Sequence, residues 1–301
     1  MTKKHLIVTH SGGFHADDTF GVAALMLLLG EGNMEIVRSR DPEIIAKGDY
    51  VLDTGNVYDP SANRFDHHQQ GGAGKRDNGI PYASFGLIWK HFGEQIAGSK
   101  AAADAIDRRL VQPIDAFDNG VELFTRNDYD VSPYTVQNVF FAFEPAWGEK
   151  ASYDQDFSDA VGFAKRILSR EILQEQQNVK ASEIVQKAYE DAPDKRLVVI
   201  ESEPVIRRNV ITESLSSRPE PLYFVRKHED AGKWQVVCVM DDIRSFKNRK
   251  DLPAAWAGKR DDELAAVTGV ADAVFCHSGR FICVANSKEG ALKLAELALA
   301  K

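Results

Sequence analysis

A chain of 301 residues is long enough for two modest domains, each burying a core without help from disulfides. Its composition, 44% hydrophobic and 27% charged, is that of an ordinary globular protein and excludes the disordered and fibrous classes. The formal net charge of -8 excludes a protein that coats nucleic acid through a global positive field, although a local basic groove remains compatible with it.

In chain order, Met1 to His10 lacks an apolar signal stretch, which predicts a cytosolic protein. Leu6–Thr9 reads as a strand that ends in His10-Ser11-Gly12-Gly13, and the apolar stretch Phe20–Leu29 that follows has helical length. Its wholly apolar part, Val22–Leu29, is too short to cross a bilayer. Met34–Val37 and Tyr50–Leu52 read as two further buried strands. This alternation predicts an α/β fold with a parallel sheet, whose functional loops lie at the carboxyl ends of the strands. His10 and Asp53 then sit at adjacent strand ends on one edge.

Gly71-Gly72-Ala73-Gly74 predicts a flexible loop ending at Pro81, followed by a helix over Tyr82–Phe92. Another helix, Lys100–Val111, leads into Pro113–Gly120. The charged, proline-free stretch Tyr153–Tyr189 predicts a helical hairpin or one long connecting helix. Strands follow at Arg196–Ile200, Leu222–Arg226, Trp234–Met240, Ala273–Cys276 and Phe281–Ala285, before a final helix capped near Ser287. The domain division expected is 1–150, a helical connector over 151–194, and a strand-rich domain over 195–301. Cys238, Cys276 and Cys283 lack C-x-x-C spacing and read as reduced residues buried in strands.

Four of the eight histidines, His10, His15, His67 and His68, lie beside a carboxylate or at a strand end. Imidazole nitrogens mixed with carboxylate oxygens suit Mn, Zn, Fe or Co, whereas Mg and Ca prefer oxygen alone. An isolated His-His pair is ordinarily a surface or capping feature. The company of Asp17, Asp18, Asp53 and Asp66, each after apolar scaffolding, weakens that reading and points to a transition-type metal, with Mn foremost.

These residues resemble the DHH phosphoesterases, which include exonucleases, oligoribonucleases and family II inorganic pyrophosphatases. That pattern has a His/Asp-rich loop after the first strand, a lone Asp after a later strand, the Asp-His-His triplet and a final Asp after a helix. Here these are His10 to Asp18, Asp53, Asp66-His67-His68, and Asp118 or Asp115. Longer phrases are similar to the Myg (melanocyte proliferating gene product) family of metal-dependent exonucleases. They are Thr9–Asp18, Tyr58-Asp59-Pro60 through Arg64–Gln69, Gly86–Trp89, Ile114–Gly120, Leu252–Gly258 and Phe275–Phe281, and they span nearly the whole chain. The first motif departs from the wider superfamily, with His15 where an aspartate is usual, which shifts the expected preference toward Mn or Zn and away from Mg.

The resemblance implies a metal-binding catalytic domain with a mostly parallel sheet flanked by helices, and a smaller α+β domain facing it across a cleft. It implies two divalent ions, Mn first with Mg, Zn or Fe as alternatives, sharing a bridging carboxylate and an activated water. Asp53 would be that bridge, with His10 and His15 on one ion and Asp17, His67 and Asp118 on the other. Asp66 would orient a histidine. His68 would contact the phosphate or protonate the leaving oxygen. Asp59 and Asp18 are in reserve, with turn and capping roles as their plainer reading. The turn His277-Ser278-Gly279-Arg280 would hold substrate phosphate, Arg being suited to bidentate contacts. Arg244, Lys247, Arg249 and Lys250, with Phe246 and Trp256, form a basic and aromatic stretch suited to a single strand, or else a solvated face. Arg207-Arg208 and Lys259-Arg260 are weaker instances.

The activity implied is a 3′-to-5′ exonuclease acting on single-stranded RNA or short oligonucleotides. The alternatives are a small-molecule phosphohydrolase of the pyrophosphatase or cyclic-dinucleotide type, and a catalytically silent nucleotide-binding protein. No membrane partner is expected, and an oligomer is left open.

Overall fold

The structure, a computed structural model, describes residues 4–125, 128–150, 152–229, 232–242 and 247–300. The chain divides into two compact units, Met1–Gln176 and Gln177–Lys301. Among the described residues no helix is long and apolar enough to cross a membrane.

The first unit is built on five strands: β1 (His5–Thr9), β2 (Met34–Arg38), β3 (Tyr50–Leu52), β4 (Tyr58–Asp59) and β5 (Arg64–Phe65). Their order is β2-β1-β3-β5-β4, parallel except for β4, which runs antiparallel to β5. The α/β expectation with a mostly parallel sheet therefore holds. In register, Val8 lies beside Val51 and Leu52 beside Phe65, so the chain leaves β1, β3 and β5 on the same edge.

Helix α1 (Ala16–Leu29) starts four residues ahead of its apolar run, because Asp17, Asp18 and Thr19 fill its first turn and are themselves buried. It is enclosed nearly all round, against the sheet and against α3 (Ser84–Ala97), with a four-residue turn of helix, α2 (Pro42–Ile45), in between along the chain. Gly21 permits the closest approach, since a Cβ there would stand 2.5 Å from Leu52 Cδ1. Phe20 stacks on Phe85 at 5.5 Å and meets Phe140 of α6 (Val136–Phe141) at 5.2 Å. Between α3 and α6 the chain forms α4 (Lys100–Ile106), a π-helical turn over Asp107–Val111, and α5 (Gln112–Asp118).

The segment Tyr153–Asp191 is one helix of 39 residues, α7, which begins in the first unit and ends in the second. The second unit follows with α8 (Arg208–Ser216), α9 (Asp261–Thr268) and α10 (Lys288–Ala300) around a mixed sheet. Its strands are β6 (Leu197–Ile200), β7 (Tyr223–Lys227), β8 (Trp234–Cys238), β11 (Ala273–Cys276) and β12 (Ile282–Ala285), with a separate ribbon of β9 (Met240–Asp242) and β10 (Lys247–Asn248). The order is β11-β12-β8-β7-β6, antiparallel except between β6 and β7. Alternation along β7 sorts two cores: Tyr223 and Val225 join Trp256, Leu264 and Leu294 on one face, and Phe224 joins Ile211 and Leu215 on the other. All three cysteines are free and buried in or at the ends of these strands, as expected.

One buried polar network fixes the loop after the Asp-His-His triplet. Arg76 bonds Asp107 at 2.7 Å and Asp115 at 2.6 Å, and its guanidinium lies 4.2 Å from the centre of the Tyr82 ring. Asp115 also accepts from the Gly86 N–H at 3.1 Å, and a Cβ on Gly86 would stand 1.8 Å from that carboxylate. Burial lifts Asp115 to about 7 even with Arg76 beside it. Its contribution to stability is therefore complete below the ordinary carboxylate range and is lost as pH rises toward 7. Arg76→Met should cost about 3–5 kcal/mol at pH 8, because it strands a buried carboxylate. The deficit should shrink in more acidic solution, where Asp115 takes up a proton. Urea denaturation of both proteins at pH 6 and pH 8 checks this, and a deficit independent of pH would contradict it.

Candidate metal centre

The shared edge of the parallel sheet collects the site. The chain leaves β1 at His10, β3 at Asp53 and β5 at Asp66-His67-His68. The first turn of α1 adds His15, Asp17 and Asp18, and the last turn of α5 adds Asp118. Asp53 has a φ of 53°, a left-handed conformation that Asp and Asn tolerate better than most residues and that recurs at functional sites.

Asp53 presents one oxygen to each half of the cluster. Its Oδ2 is 3.2 Å from His10 Nε2 and 3.5 Å from His15 Nε2, while its Oδ1 is 3.5 Å from both His67 Nε2 and His68 Nδ1. Asp118 spans the same halves, with Oδ2 at 3.0 Å from His67 Nε2 and Oδ1 at 3.4 Å from His15 Nδ1. Three groups have ligand atoms within 4.8 Å of one another: His10, His15 and Asp53; Asp53, His67 and His68; and Asp17, His67 and Asp118.

These residues fit divalent metal ions. His10 Nε2, His15 Nδ1, Asp18 Oδ2, Asp53 Oδ2 and His67 Nε2 are buried and lack a hydrogen-bond partner, although they face one another. Atoms bound at ~2.1 Å to a common ion stand ~3.0 Å apart in an octahedron and ~3.4 Å apart in a tetrahedron. The observed separations of 3.0 to 3.5 Å match the edges of such polyhedra.

Surrounding groups orient the ligands. Asp17 accepts from Ser84 N at 3.0 Å and Phe85 N at 2.7 Å, so the amino end of α3 holds its carboxylate. Burial, with Asp118 and Asp53 nearby, pushes Asp17 well above the usual carboxylate range. Burial acts the same way on Asp53, but His10, His67 and His15 outweigh it and hold Asp53 well below that range. Asp66 accepts from His68 Nδ1 at 2.7 Å, His68 N at 3.1 Å and Asn56 N at 2.6 Å, and these contacts overcome its burial to keep it ionised. His68 in turn has its basicity raised by Asp66, with its side chain 56% exposed.

The sequence matches the MYG1 exonuclease family profile, described as Uncharacterised protein family (UPF0160), over residues 6–299. The chain belongs to this family. It is 31% identical to the human MYG1 exonuclease over 98% of this chain and 86% of that one. The MYG1 protein of Caenorhabditis elegans is 30% identical over 98% and 95% of the two chains, and that of Schizosaccharomyces pombe 27% over 97% of each. Exonucleases are hydrolases, and membership of the MYG1 family makes this chain an enzyme of that class.

Of the residues expected at the site from the MYG1-like motifs, His10, His15, Asp17, Asp53, His67, His68 and Asp118 are brought together. Asp115 points away, into its bond with Arg76. Asp59 caps the 3-10 turn at Pro60, accepting from Ser61 N at 3.0 Å. Asp18 accepts from His15 N at 3.0 Å, the capping role expected of it, and also stands 3.1 Å from His10 Nε2. In the second unit, the Gly279 N–H donates to His277 Nδ1 and Arg280 pairs with Asp251 at 2.6 Å. Arg249 donates to the carbonyls of Arg218, Pro221 and Ser216, Lys250 to that of Leu299, and Trp256 is fully buried. These three therefore serve that unit's own packing, while Arg244 and Phe246 lie outside the described residues.

Further residues hold the His10–Ala16 loop, one of them Arg38, which donates to Gly12 O. Glu144 accepts from Phe14 N at 2.7 Å, Gln137 accepts from Ala16 N at 3.0 Å, and Arg40 donates to Ser11 O at 3.3 Å. Sequence reading missed them, because partners up to 130 residues apart leave no local pattern.

Metal binding must displace protons. Burial lowers the basicity of His10 and His67, yet their carboxylate partners prevail and push them up to about 10 and about 11 without a cation. At pH 7 both rings then carry a proton that a ligand must lose. Titration calorimetry with Mn in buffers of different ionisation enthalpy should show release of about two protons, and affinity should rise with pH. Release of none would remove His10 and His67 from the ligand set.

Proposed function

We propose that this protein is a Mn-dependent phosphodiesterase that removes nucleotides from the 3′ end of RNA or short oligonucleotides, working in the cytosol. The observation that carries this reading is Asp53, whose two oxygens face two separate histidine groups as a bridging carboxylate would. The relatives named exonucleases supply the substrate class. His10 and His15 would hold one cation, and Asp17, His67 and Asp118 the other, with Asp53 between them. Divalent ions in such a site lower the pKa of a water and offset phosphate charge.

The remaining steps fall to the chain. Asp66 fixes the His68 ring through Nδ1, which leaves Nε2 as the free nitrogen on a half-exposed side chain. A protonated His68 is then placed to donate to the leaving oxygen. Because Arg249, Lys250 and Trp256 are engaged within the second unit, short substrates are favoured over long strands. The half-exposed Arg280 would take a phosphate after parting from Asp251.

Asp53→Asn should lower kcat at least about a hundredfold, about 2.7 kcal/mol, and lower stability much less. Asparagine keeps both the volume and the tolerance of positive φ. Full activity on an oligoribonucleotide would rule out the bridging role. Arg280→Ala should raise KM about tenfold with metal content intact. Equal kinetics with the unaltered protein would leave Arg280 as a partner of Asp251 alone. Activity with Mn on pyrophosphate but on no oligonucleotide would replace the proposal with the small-molecule reading.

A further inference from the structure

Beside the metal centre the first unit holds a pocket of about 710 Å³ whose lining includes Ile114, Phe117, Phe124, Tyr134 and Gln137. Its volume lies within the range of small-ligand sites. Two of its lining residues are tied to neighbours of the ligand set. Phe117 precedes Asp118 on α5, and Gln137 accepts from the Ala16 N–H between His15 and Asp17.

The rim is unusually apolar for a surface. Phe117, Phe124 and Tyr134 are 44%, 56% and 73% exposed, and Phe141 stands edge-on to Phe117 at 6.2 Å. Exposed aromatics gathered in this way mark a place where something binds. Among the described residues of the lining, one polar group is both buried and unsatisfied. Gln137 is 2% exposed, its Oε1 is fixed by Ala16 N, and its Nε2 has no hydrogen-bond partner. A buried N–H without an acceptor is costly, so a ligand that brings one is favoured. Among the described residues the lining cation is Arg109, and it is already paired with Glu171 and Glu175, so these residues offer an anion no free partner. The ligand it suits is flat, uncharged and apolar on its faces, with an acceptor on its edge.

We propose that this pocket is the subsite for the nucleobase of the terminal nucleotide, with the base face on Phe124 and its edge accepting from Gln137 Nε2. The inference rests on the exonuclease reading, which puts a phosphate at the metals one residue along from Phe117. Every base carries a carbonyl oxygen or a ring nitrogen that accepts, and every base has a π-face, so such a subsite grips a nucleotide without selecting sequence.

The test uses the full chain loaded with Mn and two dinucleotides, one with a normal 3′-terminal base and one abasic there. The base should raise kcat/KM about tenfold or more, and Phe124→Ala, an exposed change, should bring that ratio near one. In parallel, a dinucleotide with 2-aminopurine at its 3′ end should lose fluorescence on binding, and Phe124→Ala should abolish the quenching. Hydrolysis with no preference for the base, or a preference that survives Phe124→Ala, overturns the subsite and leaves the exonuclease reading intact. Quenching that depends on Phe124, without hydrolysis of any oligonucleotide, supports the subsite and sinks the exonuclease reading. Absence of both hydrolysis and quenching overturns both. If sedimentation shows that Phe124→Ala splits an oligomer while the base preference persists, the patch joins copies of this chain and the subsite falls.

Discussion

Four carboxylates, Asp17, Asp18, Asp53 and Asp118, are drawn into one largely buried space, and the compensation of their charge governs the architecture around them. Uncompensated ions in such surroundings would cost several kcal/mol each. Compensation comes from the imidazoles of His10, His15 and His67 and from the amino end of α3, and the cluster could hold cations as well. The α3 contribution is geometric as well as electrostatic. Its first N–H groups grip Asp17 and Asp115 from opposite sides of the chain, so α1, α3 and α5 are tied to one another at the point where the site begins.

The same constraint explains the parallel sheet. Parallel strands release their chains on one edge, and three neighbours in the order β1, β3, β5 bring His10, Asp53 and the Asp66–His68 triplet within reach of one another. An antiparallel arrangement would send alternate strand ends to opposite edges. The helices then need only supply residues from their terminal turns, which α1 and α5 do with Asp17 and Asp118.

Much of this was legible in the sequence, and particular residues show why. Leu6–Val8 and Tyr50–Leu52 are apolar runs too short for helices, and the rule that α/β sites gather at strand ends put His10 and Asp53 together. The ambiguity between Asp115 and Asp118 had no local solution, since they lie three residues apart on one helix. Contacts distant along the chain separate them: Arg76, 39 residues from Asp115, holds that carboxylate, while Asp118 faces His67 and His15. The basic and aromatic stretch near Trp256 misled for a related reason. A tryptophan among charged residues looks exposed, yet Trp256 packs with Tyr223 and Leu264 in the core. Helices α6, α8 and α9 escaped notice because six to nine residues give too little periodicity to stand out from strand and turn patterns.

The cysteines have a practical consequence. All three, Cys238, Cys276 and Cys283, belong to the second unit, and each is sealed in its core as a free thiol. Burial also raises the Cys238 thiol to about 12, so little of its nucleophilic thiolate is present at neutral pH, whereas the contact with Cys283 lowers the Cys276 thiol. The first unit contains no cysteine at all. A thiol-specific reagent therefore acts as a reporter confined to one half of the molecule, blind to whatever metal loading does to the other. Opening of the second unit can be timed by modification of native thiols alone, in the unaltered chain.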